Sequence, residues 1–341
     1  YREVVATFMP ISSPAPPSGE KEQRYQGVWF RGERPEAKAK RLPKDGQEAE
    51  QIAARARTGQ AIIESRKAET RRAPPPLLYD LTELQRHANR LYSFSAQTTL
   101  DIAQKLYEQH KLISYPRTDS RHLSTSVART LGTIVAAIEE SYRDRLAPGT
   151  GQQSLSSRFV DDSKITDHHA IIPTPVPART LAADERKIYD LICRRLLMAW
   201  HDDHLWAVTT LITTIHTPKE KAVIVDRYHS TGTAVEQIGW KILEAETDKL
   251  VKKPSRKRQP AKTTPVEHAA TEEDTEQSLP AGLIVGQPQQ VLEARAVVKQ
   301  TRPPPRLTEA TLLTAMETAG RQLEDKELSA AMKESGLGTP A

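Results

Sequence analysis

The chain has 341 residues, 37% of them hydrophobic and 27% charged; lysine plus arginine exceed aspartate plus glutamate by 49 − 44 = 5, and the isoelectric point lies near 9.1. At roughly 150 residues per domain this length predicts two or three compact units with room for sizeable cores. A mean hydropathy of −0.59, with no apolar run near the ~20 residues that span a bilayer, predicts a soluble protein. The single cysteine, Cys193, excludes an intrachain disulfide and fits a reducing cytoplasm, while the basic excess permits a polyanionic partner without identifying one.

In chain order, Tyr1 to Phe8 alternates like a strand and carries neither an initiator methionine nor a signal-peptide pattern, so the chain is expected to begin inside a longer protein. A second strand is expected over Tyr25 to Phe30, a charged helix over Glu48 to Arg57 and a strand over Ala61 to Ser65. Pro74-Pro75-Pro76 fixes φ three times in succession and removes three ladder donors, so it marks a boundary. From Asp80 the apolar spacing turns helical. Leu81, Leu84, Ala88 and Leu91 share one face, and Ser95 caps a second helix that buries Leu100, Ala103, Leu106 and Tyr107.

A third helix runs from a cap at Ser124 through Val127, Leu131, Ile134, Val135 and Ile138, and a fourth starts near Asp184 and holds Ile188, Leu191, Ile192, Leu196 and Trp200. Beyond Trp206 strand patterns return at Val208 to Ile215 and Ala222 to Tyr228, followed by a long charged loop over residues 245–278. Strands are expected at Gly282 to Val285 and Gln290 to Lys299. After Pro303-Pro304-Pro305, Thr308 caps a last helix with Leu312, Leu313 and Met316 turned inward. Basic residues gather at Lys38-Ala39-Lys40-Arg41, from Arg66-Lys67 to Arg71-Arg72, and at Lys252-Lys253-Pro254-Ser255-Arg256-Lys257-Arg258; solvated loops explain the first two as readily as a polyanion does, and the third, followed by Glu272-Glu273-Asp274, reads as a disordered surface loop.

The chemistry concentrates at Leu112-Ile113-Ser114-Tyr115-Pro116-Arg117-Thr118-Asp119-Ser120. Pro116 pushes Tyr115 toward extended geometry, and in an extended segment residues two apart leave the same face, so a phenol and a guanidinium can share one phosphate. A phenol of pKa near 10 needs nearby positive charge or a base to act as a nucleophile, and arginine supplies fixed charge with bidentate donors. Taken alone, the pair reads more readily as a packed turn tyrosine beside a surface arginine. Thr166-Asp167-His168-His169-Ala170-Ile171-Ile172-Pro173-Thr174 adds adjacent histidines, of which at most one faces a given site in an extended chain. No further Cys or His stands at metal-site spacing, so no metal site is expected among these residues. Gly336-Leu337-Gly338-Thr339-Pro340-Ala341 offers backbone amides for a phosphate, or a plain turn.

Together with Pro76-Leu77-Leu78-Tyr79-Asp80-Leu81, Phe94-Ser95-Ala96-Gln97, Gln104-Lys105-Leu106-Tyr107-Glu108 and Pro304-Pro305-Arg306-Leu307-Thr308-Glu309-Ala310, these segments resemble, in number, order and spacing, the type IA DNA topoisomerases, the topoisomerase III branch most closely. The resemblance covers essentially the whole chain. It implies an α+β, multidomain ring, here a toroid fragment in which a β-rich arch domain is interrupted by a helical domain carrying the tyrosine. On that basis residues 1–76 form the first half of the arch, 77–205 the helical domain, 206–301 the second half of the arch, and 302–341 the start of a helical base element.

The resemblance makes Tyr115 the nucleophile that forms a 5′-phosphotyrosine link, Arg117 the contact to the scissile phosphate, and His168 an assistant through proton transfer or phosphate contact; His169 does not inherit that role. Arg117, Thr118, Gln97, Lys105 and Thr339 are the expected DNA contacts. It further implies Mg²⁺ held by a Toprim domain that these residues do not include, so that this stretch alone should be inactive. The expected partner is DNA, chiefly single-stranded, for a monomeric, cytoplasmic, nucleoid-associated protein with no membrane contact. The alternative is a noncatalytic single-stranded DNA-binding module. A tyrosine recombinase would gather several Arg and His around the tyrosine, and no such cluster surrounds Tyr115.

Overall fold

The fold was examined in a computed structural model, which describes residues 1–11, 24–178, 180–219, 222–244, 277–280 and 282–319. The expected charged loop lies largely outside these residues, as do Thr339, its neighbouring glycines and the basic run at 252–258. Two compact units divide the chain: Tyr1–Arg72, Leu205–Gln237 and Lys257–Pro303 form the first, and Ala73–His204, Ile238–Arg256 and Pro304–Ala341 the second. Each has its own core, and the architecture is α+β.

The first unit is built on a closed antiparallel barrel. Its strands are β1 (Arg2–Pro10), β2 (Tyr25–Phe30), β3 (Gln60–Ala73), β4 (His204–Lys219), β5 (Ala222–Gln237) and β6 (Pro288–Val298), in the order β1-β2-β5-β4-β3-β6. The period-two alternation read from the sequence is the alternation of the barrel wall: Val4, Ala6 and Phe8 of β1 and Asp226, Tyr228 and Ser230 of β5 are buried while their neighbours are more exposed. Helix α1 (Gln47–Thr58) adds Ala49, Ile52, Ala53 and Ala56 to the same core, a helical stripe of mostly small residues. Gly59 then lets α1 leave beside β4, because a Cβ there would stand 2.3 Å from Ile215 Cγ2. Asp226 is buried and held by Trp29 Nε1–H at 3.0 Å and by Arg55 through Nε at 2.9 Å and Nη2 at 3.0 Å. A lone carboxylate in that position would be strongly disfavoured.

The second unit is helical. Its elements are α2 (Leu81–Tyr92), α3 (Ala96–Glu108), α4 (Thr125–Ala128), α5 (Leu131–Ile138), α6 (Ala183–Leu197) and α7 (Glu309–Glu317). The expected caps all operate: Ser95 accepts from Thr98 N, Ser124 from Val127 N and Thr308 from Thr311 N, and Asp80, where the helical spacing begins, adds one more by accepting from Glu83 N. The core joins Leu84, Ala88, Ala103, Leu106, Ile188, Ile192 and Leu196, with Cys193 buried among them. At its centre Arg195 lies over the Tyr79 ring at 3.9 Å, donates to Leu77 O at 2.9 Å and meets His87 Nδ1 at 3.3 Å, while Tyr79 Oη is bonded to the same His87 nitrogen. Burial, with Arg195 close by, holds His87 well below the usual imidazole range.

Three expectations differ from the structure. The single third helix is broken, because Thr130 returns both its N–H (2.9 Å) and its hydroxyl (2.8 Å) to Val127 O and so diverts the i→i+4 ladder. Gly282 to Val285 is a turn and not a strand: Gly282 and Gly286 are left-handed, at φ 78° and 84°, and Gln287 N bonds back to Ile284 O at 3.2 Å. On α7 it is Ala310 that is buried, whereas Leu312 is 45% exposed. The contact to α2 is made by the small residue, whose N–H donates to Asn89 Oδ1 at 3.2 Å, while Glu309 accepts from Ala96 N at 2.6 Å and Glu317 pairs with Arg86.

Candidate active site

Tyr115 sits just beyond α3. The helix ends where Lys111 turns left-handed at φ 58°, so that Leu112 N–H returns to Leu106 O at 2.9 Å and the chain leaves in extended form. Two strand-like segments are then stitched together. Ser114 N donates to Ile172 O at 2.9 Å and Thr174 N to Leu112 O at 2.9 Å, and Ile113 pairs with Pro173 in an antiparallel bridge. The Ser114 hydroxyl donates to Ala170 O at 3.1 Å and accepts from Ile172 N at 3.0 Å, which serves polar groups that the bridge leaves over. Ala170 N reaches His122 O at 2.9 Å and Ile171 N reaches Tyr79 O at 2.8 Å, anchoring the second segment to the core.

On this frame the extended alternation holds: Pro116 is buried, while Tyr115 is half-buried and Arg117 exposed. The Tyr115 ring packs against two others. His168 is 4.4 Å away, centroid to centroid, with an interplanar angle of 45°, and Tyr107 of α3 is 5.5 Å away and edge-on at 79°. Gln104, one helical turn before Tyr107, orients its carboxamide oxygen to Arg117 and accepts from Nε at 3.2 Å and from Nη2 at 3.1 Å; the donors facing it select this orientation. Lys111 Nζ stands 5.7 Å over the Tyr107 ring.

The structure therefore brings Tyr115, Arg117 and His168 together on one frame. His168 is exposed and His169 turns inward, donating from Nδ1 to Ala170 O at 2.7 Å. Burial draws His169 below the ordinary imidazole value, against the opposing pull of that carbonyl. Thr118, expected on the DNA surface, is 7% exposed, and its hydroxyl donates to His168 O at 3.0 Å. Its place is beneath the histidine as a brace. Gln97 and Lys105 are exposed on α3, Gln97 donating to Asp101 Oδ1 at 2.8 Å. At positions 97, 101, 104, 105 and 108 they share one polar face that leads to Arg117.

Two residues of this arrangement are not among the expected site residues, Gln104 and Tyr107. Both belong to Gln104-Lys105-Leu106-Tyr107-Glu108, and their spacing of three on a helix is the signal that puts them on one face. Among the described residues no group of three His, Cys, Asp or Glu is arranged to hold a metal ion. The donor set here does not fit a divalent cation, and none of the chemistry below passes through one. Among those residues, too, no helix is long and apolar enough to cross a membrane.

The arrangement offers a guanidinium held by Gln104, a half-buried phenol two residues before it in the chain, and an exposed imidazole against the phenol ring. Comparison with known proteins places the chain in a family. A family model described as DNA topoisomerase matches residues 19–341. A protein named DNA topoisomerase 3 from Bacillus subtilis (strain 168) is 36% identical over 289 residues, which are 83% of this chain and 36% of that protein. Its namesakes from Shouchella clausii and Vibrio cholerae are 32% and 35% identical, over 92% and 82% of this chain and 40% and 39% of theirs. The chain thus spans between a third and two fifths of the length of these relatives. A solved structure of full-length topoisomerase I from Thermotoga maritima superposes with a TM-score of 0.56 at 19% identity, covering 94% of this chain and 44% of that one, which shows a shared fold. With the family model spanning all but the first residues, the chain belongs to the DNA topoisomerase family.

Proposed function

We propose that the protein changes DNA topology by cutting one strand through Tyr115, passing another strand and resealing the break without ATP. The Tyr115 oxygen attacks phosphorus, the bond to the 3′ oxygen breaks, and that oxygen leaves as a hydroxyl on accepting a proton; the 5′ phosphate stays on the tyrosine. Resealing is the reverse step, so the phosphodiester energy is conserved in the phosphotyrosine. Arg117 holds the phosphoryl oxygens and stabilises the charge that develops on them, and His168 serves as the proton carrier or as a second phosphate contact. The observation that carries this reading is the placing of Tyr115 against His168 with Arg117 held alongside.

In this reading the barrel unit is the arch of a type IA enzyme of the topoisomerase III kind and the helical unit is its gate. DNA enters as a single strand along Gln97, Lys105 and Arg117, with Thr339 contributing from outside the described residues. Mg²⁺, which the family likeness implies, belongs to a Toprim domain. The protein acts as a monomer in the nucleoid of a bacterial cytoplasm. Trapping on a single-stranded oligonucleotide is the test: denaturant added to a running reaction should leave a covalent 5′-linked adduct with the whole protein and none with Tyr115→Phe. An adduct that persists in Tyr115→Phe would sink the proposal.

A second reading, a single-strand-binding module without chemistry, draws on the exposed polar face of α3. It predicts that the whole protein, supplied with Mg²⁺, binds single strands but never yields an adduct.

A further inference from the structure

We propose that α3 presets the two chemical groups of the site: Tyr107 is the positioning residue for Tyr115, and Gln104 is the positioning residue for Arg117. This rests on the strand-cutting reading above. Residues three apart on a helix have Cβ atoms about 5–6 Å apart, and residues two apart on an extended chain are separated by roughly 6.6 Å. One turn of α3 therefore matches the Tyr115-Pro116-Arg117 step, and the observed contacts follow that match in order, Gln104 to Arg117 and Tyr107 to Tyr115.

Each contact has a chemical consequence. A phenol with neighbours on one side only can swing about its side-chain torsions. With the Tyr107 ring edge-on at 5.5 Å and His168 at 4.4 Å, the Tyr115 ring has two ring partners that limit its swing and so restrict where its oxygen goes. Lys111 over the outer ring, at 5.7 Å, steadies Tyr107 in turn. Gln104 fixes the guanidinium through Nε and Nη2, and among the described residues Nη1 has no partner that competes with a phosphate. The identity of the holder matters. A carboxamide oxygen orients the guanidinium without cancelling its charge, whereas a carboxylate in the same place would form an ion pair and leave less charge for the phosphate.

The test measures, with the whole protein, the rate of 5′-phosphotyrosyl adduct formation at saturating single-stranded oligonucleotide, the Kd for that oligonucleotide, and the thermal midpoint. Tyr107→Leu should slow adduct formation about tenfold with Kd within about twofold of the parent, since the loss is in aim and not in grip. Tyr107→Phe, which keeps the ring contact, should restore the rate. Gln104→Glu should also slow adduct formation about tenfold while the thermal midpoint holds or rises, because the new ion pair stabilises the fold as it diverts Arg117. That combination is one a merely structural role would not give.

Rates within about twofold of the parent for both Tyr107→Leu and Gln104→Glu would overturn the proposal, as would a loss in Tyr107→Phe as deep as in Tyr107→Leu. Should Tyr107→Leu fail to fold, Tyr107→Phe and Gln104→Glu decide. An adduct that survives Tyr115→Phe, or no adduct with the parent protein, would instead refute the strand-cutting reading.

Discussion

Asp80 opens the helix whose start is fastened to the site segment. Its carboxylate caps α2 by accepting from Glu83 N at 2.6 Å, and the next residue, Leu81, donates its N–H to Thr118 O at 3.1 Å, so the cap is fastened to the segment that carries Tyr115. Burial raises the Asp80 pKa to about 6, against the lowering effect of the cap bond and of Arg121. The sign follows from linkage. An unfolded aspartate titrates near 3.9, so between about pH 4 and 6 the folded state binds the proton more tightly. The favourable contribution is complete at lower pH and is lost as pH rises through 6, to an extent of roughly 3 kcal/mol. Asp80→Asn keeps a capping acceptor and removes the titration. Its stability, followed by denaturant unfolding at several pH values, should gain on the parent steadily between pH 4 and 7; parallel curves would contradict this. Ser114 makes a second prediction. Ser114→Ala strands Ile172 N–H inside the stitched frame, which should destabilise the protein by about 1–3 kcal/mol and slow adduct formation, because Tyr115 loses its backbone anchor.

Among the elements, what could be read from the sequence followed how local the cause was. The caps at Ser95, Ser124 and Thr308 are set within one turn of chain, and each operates as expected. The barrel strands β1 and β2 alternate because one face is buried, and that pattern is plain in Tyr1 to Phe8 and Tyr25 to Phe30. Beyond Ser65 the strand β3 continues to Ala73 through exposed, charged residues. Nothing apolar marks it there, since its pairing within the barrel, not its burial, keeps it extended. Side-chain bonding back to the chain hid the break at Thr130, and two left-handed glycines undid the expected strand at Gly282 to Val285. In the candidate site Tyr115, Arg117 and His168 could be picked out by type and order. Gln104 and Tyr107 could not, because their role depends on a tertiary contact between a helix and the extended chain that follows it. Close approach gives a third prediction. Gly59→Ala places a methyl against Ile215 at the exit of α1, and overpacking of this kind should lower stability by about 1–3 kcal/mol without changing adduct formation, as read by thermal melting and oligonucleotide trapping in parallel. Asp226→Ala should act more strongly, at about 3–5 kcal/mol, because Arg55 and Trp29 lose their shared buried acceptor.

For the molecule as a whole, the two cores separate the tasks. The barrel and helical units each take three alternating stretches of chain, and Tyr115, Arg117 and His168 all lie in one stretch of the helical unit, Ala73–His204. The modest excess of positive charge, +5 over the chain, matters less than where two cations stand, Lys105 on α3 and Arg117. Binding to single strands by these residues should weaken as salt rises, with log affinity falling linearly in log salt by about 0.7 per phosphate contacted, and Lys105→Ala should reduce the slope by close to one contact without abolishing cleavage. A slope unchanged in that variant would place the strand elsewhere. The central claim is that Tyr115 takes the 5′ end of a cut strand. The measurement that tests it most directly is to trap the covalent complex on a single-stranded oligonucleotide, digest the protein and identify the nucleotide-bearing peptide by mass spectrometry. The account predicts one modified residue, Tyr115, carrying a 5′ phosphate; a different modified residue, or a link to a 3′ phosphate, would contradict it.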